Sequence, residues 1–148
     1  MVKNSFENPS SAPAGLARRL GALFYDLCLL TGIIFFAGLP LPYLSNTPID
    51  ATLLKSLTQV YLLGVIFLFF AWFWTHGGQT LGMRAWKIKL ITKNNTQVSW
   101  KIAFYRFCTG ILTLCSGGLG YIWMLVDKEG CTWQDRLSST RFIRLNTD

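Results

Sequence analysis

The chain has 148 residues, 51% hydrophobic and only 14% charged; its length holds one domain and excludes a multidomain enzyme, and the apolar content excludes a disordered chain. Soluble domains average about 25% charged residues, so the shortfall, with apolar residues gathered in long blocks, points to a membrane. The net charge of +7 then reads as basic cytoplasmic loops facing anionic lipid headgroups, not as nucleic-acid binding.

Residues 1–15 (MVKNSFENPSSAPAG) have no periodic apolar face and no signal-peptide core, and read as a disordered N-terminal tail ahead of a membrane domain over 16–145. The first hydrophobic segment runs over about 20–44 and carries no charge from Leu27 to Leu44. Roughly 20 helical residues cross a bilayer core, and Pro40 and Pro42 mark where this helix ends. SNTPID (45–50) reads as a polar turn. The second segment, 57–75, is 19 uncharged residues closing on Trp72, Trp74 and His76, groups suited to the headgroup boundary.

The stretch from His76 to Lys101 holds five basic residues and no acid. Its Gly77, Gly78 and Gly82 read as a tight turn; the Gly-Lys-Ser/Thr ending of a phosphate loop is missing. From Trp86 the pattern alternates, with Trp86, Ile88 and Leu90 on one face and Lys87 and Lys89 on the other. Asn94-Asn95 supplies a hairpin turn and Gln97 to Ser99 a return strand, which predicts a small amphipathic β-hairpin against the membrane. The third segment, 102–126, contains Arg106 and a Ser116-Gly117-Gly118 break. It is either one kinked span or a helical hairpin returning to the side it entered from. Residues 141–145 alternate as a last short strand. The fold class is therefore mainly α: a helical integral membrane protein with two full transmembrane helices, a Gly-broken third hydrophobic segment and a small cytoplasmic β element.

Basic residues set the orientation. The 76–101 loop faces the cytoplasm, two crossings put the N-terminus there as well, and Lys128, Arg136, Arg141 and Arg144 draw the tail to the same side. A helical hairpin satisfies that placement, with the tail strand free to pair with the Trp86 to Thr92 strand.

Three local patterns occur in order: RRLGALFYD opening the first segment, GGQTLGMRAWKIKLI after the second, and WQDRLSSTRFI near the end. Together they resemble the RDD family of bacterial inner-membrane proteins, named for one arginine and two aspartates. Residue by residue, the arginine corresponds to Arg19, the first aspartate to Asp26 and the second to Asp135, with Asp127 the alternative. Relatives carry His before the last aspartate where this chain has Gln134. The resemblance implies a multi-pass protein of the bacterial inner membrane with a role in transport or ion homeostasis.

Helix geometry places Asp26 about 9 Å below an entry near Leu20 and Arg106 about 7.5 Å below Lys101. Matched depth and opposite charge predict an intramembrane Asp26–Arg106 pair, with Arg19, on the same helical stripe as Asp26, able to share the site. The plain alternative is a structural ion pair locking two helices. His76 reads as a helix cap or headgroup contact. Asp127, Glu129, Asp135 and Arg136 read as a charged solvated face, with Asp135 able to cap a helix or pair with Arg84. Cys28, Cys108, Cys115 and Cys131 form no Cys-x-x-Cys and read as buried reduced thiols. No catalytic constellation, metal-ligand cluster or cofactor motif is present, so an enzyme is not expected. Two spans enclose little volume, so a pathway implies a homo-oligomer or membrane partner protein. The competing reading is a scaffold that recruits a partner or anionic lipid through its basic face.

Overall fold

The computed structural model describes residues 14–44, 50–127 and 130–145. Most of the 1–15 tail, most of the 45–50 turn, and Lys128 and Glu129 lie outside the described residues.

Helix α1 (Leu16–Gly38) covers the first hydrophobic segment, and a single further turn, α2 (Leu41–Leu44), follows the break at Pro40. Helix α3 (Ala51–Thr75) begins at Asp50, whose side chain accepts from the Thr52 amide at 2.7 Å. On α3 only Ala71 and Trp74 are buried, although from Val60 onward the helix is apolar around almost its whole circumference. Such a helix needs either a large protein core or a bilayer. Both α1 with its extension and α3 are long and apolar enough to cross a membrane. The exposed Phe24, Phe36, Val60 and Leu68 lie on the surface that hydrocarbon would cover.

A short helix α4 (Leu81–Ala85) leads into strand β1 (Ile88–Thr92). Helices α5 (Trp100–Cys115) and α6 (Leu119–Val126) make up the third segment and meet at 96°. The bend sits at Ser116-Gly117-Gly118, where the sequence break was expected. Gly120 lets α6 close on α5, because a Cβ there would meet the Thr113 side chain. Helix α7 (Trp133–Leu137) and strand β2 (Thr140–Arg144) complete the chain.

The expected hairpin over 86–99 is corrected. The turn forms, with Asn95 at positive φ and its amide bonded to the Thr92 carbonyl, but no return strand follows. Gln97 instead donates to the Thr75 carbonyl, and Ser99 caps α5 through the Ile102 amide. Beginning a helix at Trp100 leaves too few residues for a second strand. The partner of β1 is β2, antiparallel, with Leu90 opposite Phe142. Trp86 lies outside the strand and is partly exposed; its ring occupies the space beside Gly21 of α1.

The core sits at this sheet end. Ala22 of α1, Ala71 and Trp74 of α3, Met83, Ile88, Leu90, Ala103 and Phe142 form one buried cluster. The Ala14 amide donates to the Phe142 carbonyl at 3.1 Å. The start of α1, the loop after α3 and the C-terminal strand therefore meet at one end of the molecule.

Candidate functional site

The second aspartate organises the site. In Thr132-Trp133-Gln134-Asp135 the Thr side chain accepts from the Asp135 amide while the Asp135 carboxylate accepts from the Thr132 amide, a reciprocal cap on α7. That cap fixes the carboxylate in a fully buried position between two guanidinium groups. Oδ1 accepts from Arg106 at 2.8 Å, and Oδ2 accepts from Arg19. Burial alone would raise the Asp135 pKa; the positive charges of Arg106 and Arg19 overcome it and hold the carboxyl below the usual carboxylate range.

Both arginines are held by more than Asp135. Arg19 donates from Nε to the Ala14 carbonyl at 2.9 Å and from a terminal nitrogen to Gly130 at 3.3 Å. Arg106 donates to the Thr140 hydroxyl at 2.6 Å and stands 3.5 Å from that of Ser138. The Phe142 ring lies against both, with its centroid 4.7 Å from the Arg19 guanidinium carbon and 4.8 Å from that of Arg106.

The expected Asp26–Arg106 pair is corrected. Asp26, 1% exposed, turns its oxygens onto the loop after α3, accepting from the Thr80 hydroxyl and from the Gly82 amide at 2.9 Å. Thr80 in turn caps α4 by accepting from Met83. Asp26 is thus a cap supplied to α4 from another helix, satisfying amides that a short helix leaves open. Gly82 makes the approach possible, since a Cβ there would collide with the Ala22 carbonyl and the Asp26 carboxylate. Matched depth was a poor guide because it fixes position along a helix and not the direction a side chain takes from it.

Other expectations are also revised. Asp135 is not on a solvated face, and its partners do not include Arg84. Asp127 pairs with an exposed Arg136 at 2.5 Å, but its own side chain is nearly buried and also accepts from the Cys131 amide, so it is not on a solvated face either. Trp74 is buried with its ring centroid 5.5 Å from the Arg106 guanidinium carbon, whereas Trp72 stays exposed and stacks on His76, the C-cap of α3. Cys131 is buried, Cys28 and Cys115 lie on the outer surface, and none of the four cysteines is in a disulfide. Sequence reasoning missed Thr80, Thr140, Ser138 and Trp74. The T-x-x-D spacing was the one readable signal, and it leads to Thr132.

Arg19, Asp26 and Arg106 all line one cavity of ≈ 190 Å³. The rest of its wall is largely apolar, from Leu23, Phe70, Trp74, Phe107, Ile111 and Phe142. Leu27 and Leu114 also border it and are exposed, which marks a lateral mouth between α1 and α5. Two N–H groups on its wall residues, Arg106 Nε and Trp74 Nε1, are buried with no hydrogen-bond partner.

Long apolar helices joined at one end by a small sheet, with a charged cluster where they meet, describe a helical membrane protein. The chain belongs to the RDD family, whose model matches residues 13–139. No curated protein and no solved structure matches it.

Proposed function

We propose that this chain is a bacterial inner-membrane protein acting in transport or ion homeostasis, with the cavity beside Arg19, Asp26 and Arg106 as the part that meets the transported species. The observation that carries this reading is the coincidence of buried ionisable groups and a laterally open cavity among the apolar helices α1, α3 and α5. Charges at membrane depth are expensive and by default mark pathways or coupling sites. Both termini lie on the cytoplasmic side in this reading: the Ala14–Phe142 and β1–β2 bonds hold them together, and the basic 76–101 loop goes inward. The third segment then enters and returns, turning at the 96° bend. A single chain encloses little volume, so a complete pathway calls for self-association.

The test is flux in proteoliposomes with imposed proton and cation gradients. Asp26→Asn preserves the shape at Thr80 and Gly82, and it folds but loses flux if the site handles ions. Undiminished flux in that variant overturns the reading. A second reading, a scaffold gripping anionic headgroups, is favoured by the concavity that Arg18, Trp86, Lys87 and Arg144 line at the sheet end. It predicts that charge reversal at Lys87 and Lys89 abolishes partner or lipid recruitment while Asp26→Asn does not.

A further inference from the structure

We propose that the cavity between α1, α3 and α5 binds a neutral amphiphile of the alkanol type, one hydroxyl head on an apolar body, taken up from the bilayer. The hydroxyl meets the Gln134 carboxamide and the Tyr121 phenol, and the body lies along the apolar wall toward the mouth at Leu27 and Leu114. The inference rests on the transport reading only for the claim that the occupant moves; binding stands on its own observations.

The first is charge. Arg19 and Arg106 are matched by Asp135 and Asp26, and every oxygen of the two carboxylates already accepts a hydrogen bond. Arg106 Nε and Trp74 Nε1 are sealed even from water. An ion entering this wall meets no net charge, and an unpaired charge is the costliest group to bring out of water. The second is a pair of uncharged polar groups. Gln134, 8% exposed, stands in the first turn of α7, and its side-chain nitrogen lies 3.7 Å from where a Cβ on Gly110 of α5 would sit. Gln134, Gly110 and Tyr121 all line the cavity. Among the described residues neither the Gln134 amide nor the Tyr121 hydroxyl has a hydrogen-bond partner, and neither belongs to the groups sealed from water, so both open onto the cavity. A buried amide without a partner calls for one. Both groups donate as well as accept, and a ligand hydroxyl answers them in kind.

The third is the rest of the wall. Water answers Gln134 and Tyr121 but leaves Leu23, Phe70, Phe107 and Ile111 uncovered. Binding sites for organic ligands have this composition, mostly apolar with a few placed polar groups. The ≈ 190 Å³ volume exceeds the roughly 150 Å³ of an engineered apolar cavity that takes up benzene. Leu27 and Leu114 at the mouth are exposed on the membrane domain, so the opening faces the hydrocarbon in which alkanols partition.

The probe is an octanol carrying a diazirine on its chain, photolysed with the full-length protein in phosphatidylcholine nanodiscs and mapped by peptide mass spectrometry. Saturable labelling within 107–134 is expected above the unsaturable labelling of lipid-facing residues. Octanol displaces it. Octane, compared at equal concentration in the membrane, should compete about fivefold less well, as expected for one neutral hydrogen bond. Octanoate and octylammonium, which carry charge, and ethanol, which lacks the body, should not compete. Gln134→Met keeps the side chain's length and deletes the amide. Combined with Tyr121→Phe, it should bring octanol down to the level of octane at an unaltered thermal transition, because neither deleted group bonds to the protein. Ile111→Trp, which grows into the cavity, should abolish saturable labelling. Labelling that does not saturate overturns the proposal. So does competition by octanoate or octylammonium as strong as by octanol, a wild-type preference for octanol over octane in the double variant, or full labelling in Ile111→Trp. Binding without flux sinks the transport reading and leaves this site standing; flux without saturable labelling does the reverse.

Discussion

Replacing Asp135 by Asn should be the most damaging isosteric change in the chain. The carboxylate accepts from Arg106 at 2.8 Å, from Arg19, and from the Thr132 amide at 3.1 Å. An amide keeps one acceptor oxygen and turns an NH2 toward a guanidinium, so at least one charge-assisted bond becomes a donor facing a donor. Such bonds contribute about 1.5–3 kcal/mol each, and breaking a buried ion pair by removing one partner costs about 3–5 kcal/mol. Here one carboxylate serves two buried guanidiniums, so the loss should be about 4 kcal/mol, a large share of an ordinary domain's 5–15 kcal/mol or so. Arg106→Met provides the contrast. It leaves Asp135 and Arg19 as a balanced pair, keeps an unbranched stem against Phe142, and lets the Ser138 and Thr140 hydroxyls, 2.7 Å apart, satisfy each other; about 2 kcal/mol is expected. Reversible unfolding in mild detergent titrated with a denaturing detergent, followed by tryptophan fluorescence, measures both. Asp135→Asn costing less than Arg106→Met would refute the assignment of Asp135 as the shared counter-ion.

Asp26→Asn should cost about 1 kcal/mol, the difference between a charge-assisted hydrogen bond and a neutral one, while Asp26→Ala strands the Gly82 amide and Thr80 hydroxyl and should cost about 2–3; detergent unfolding separates them. Gly82→Ala should sharply reduce folded protein in the membrane, because its Cβ meets the Ala22 backbone, whereas Gly110→Ala, whose Cβ comes no closer than 3.7 Å to Gln134, should be tolerated; fluorescence-detected size exclusion reads both. Asp135 is depressed in the fold, so its contribution is present above its unfolded pKa of about 3.9 and is lost as pH falls through the lower folded value. Wild type should therefore lose stability relative to Asp135→Asn only below about pH 4, and a gap already closing between pH 7 and 5 would contradict that sign. A reporter fused to the C-terminus should be active in the cytoplasm, and periplasmic phosphatase activity from it would show that the third segment crosses.

The helices were legible because their signals are one-dimensional. Uncharged runs give the length of α1 and α3, Pro40 ends the first, and Ser116-Gly117-Gly118 marks the bend between α5 and α6. The site was less legible because its geometry is lateral. Arg106 was correctly singled out as a buried charge, yet sequence gives its depth and not its azimuth; the α5 face carrying it turns to α7 rather than to α1. Asp135 sits among Gln134, Arg136 and Ser138 and so reads as surface. It is buried because β2 returns to pair with β1, a contact between segments far apart in sequence. The strand over 88–92 was visible in its alternation, but its partner was set by the Ser99 cap, which commits the nearer residues to α5.

The two aspartates also make sense of each other through a repeat that composition and hydropathy conceal. Gly78, Thr80 and Arg84 recur as Gly130, Thr132 and Arg136, each 52 positions later, and Lys87 stands at the same spacing from Ser139. Both glycines have positive φ, as do Lys87 and Ser139, and both threonines cap a five-residue helix that runs into a five-residue strand. The strands pair about Leu90 and Phe142, which are themselves counterparts, so a local two-fold relates the halves. The halves differ at one decisive position: the third residue after the capping threonine is Met83 in the first and Asp135 in the second. The second half therefore carries its own capping carboxylate, and the first receives one from Asp26 on α1. Seven residues before Asp26, on the same stripe and about 10.5 Å along the helix, Arg19 reaches the other half at Asp135. Helix α1 thus ties one half with a carboxylate and the other with a guanidinium. That is a physical reason for an arginine and two aspartates to act as one set.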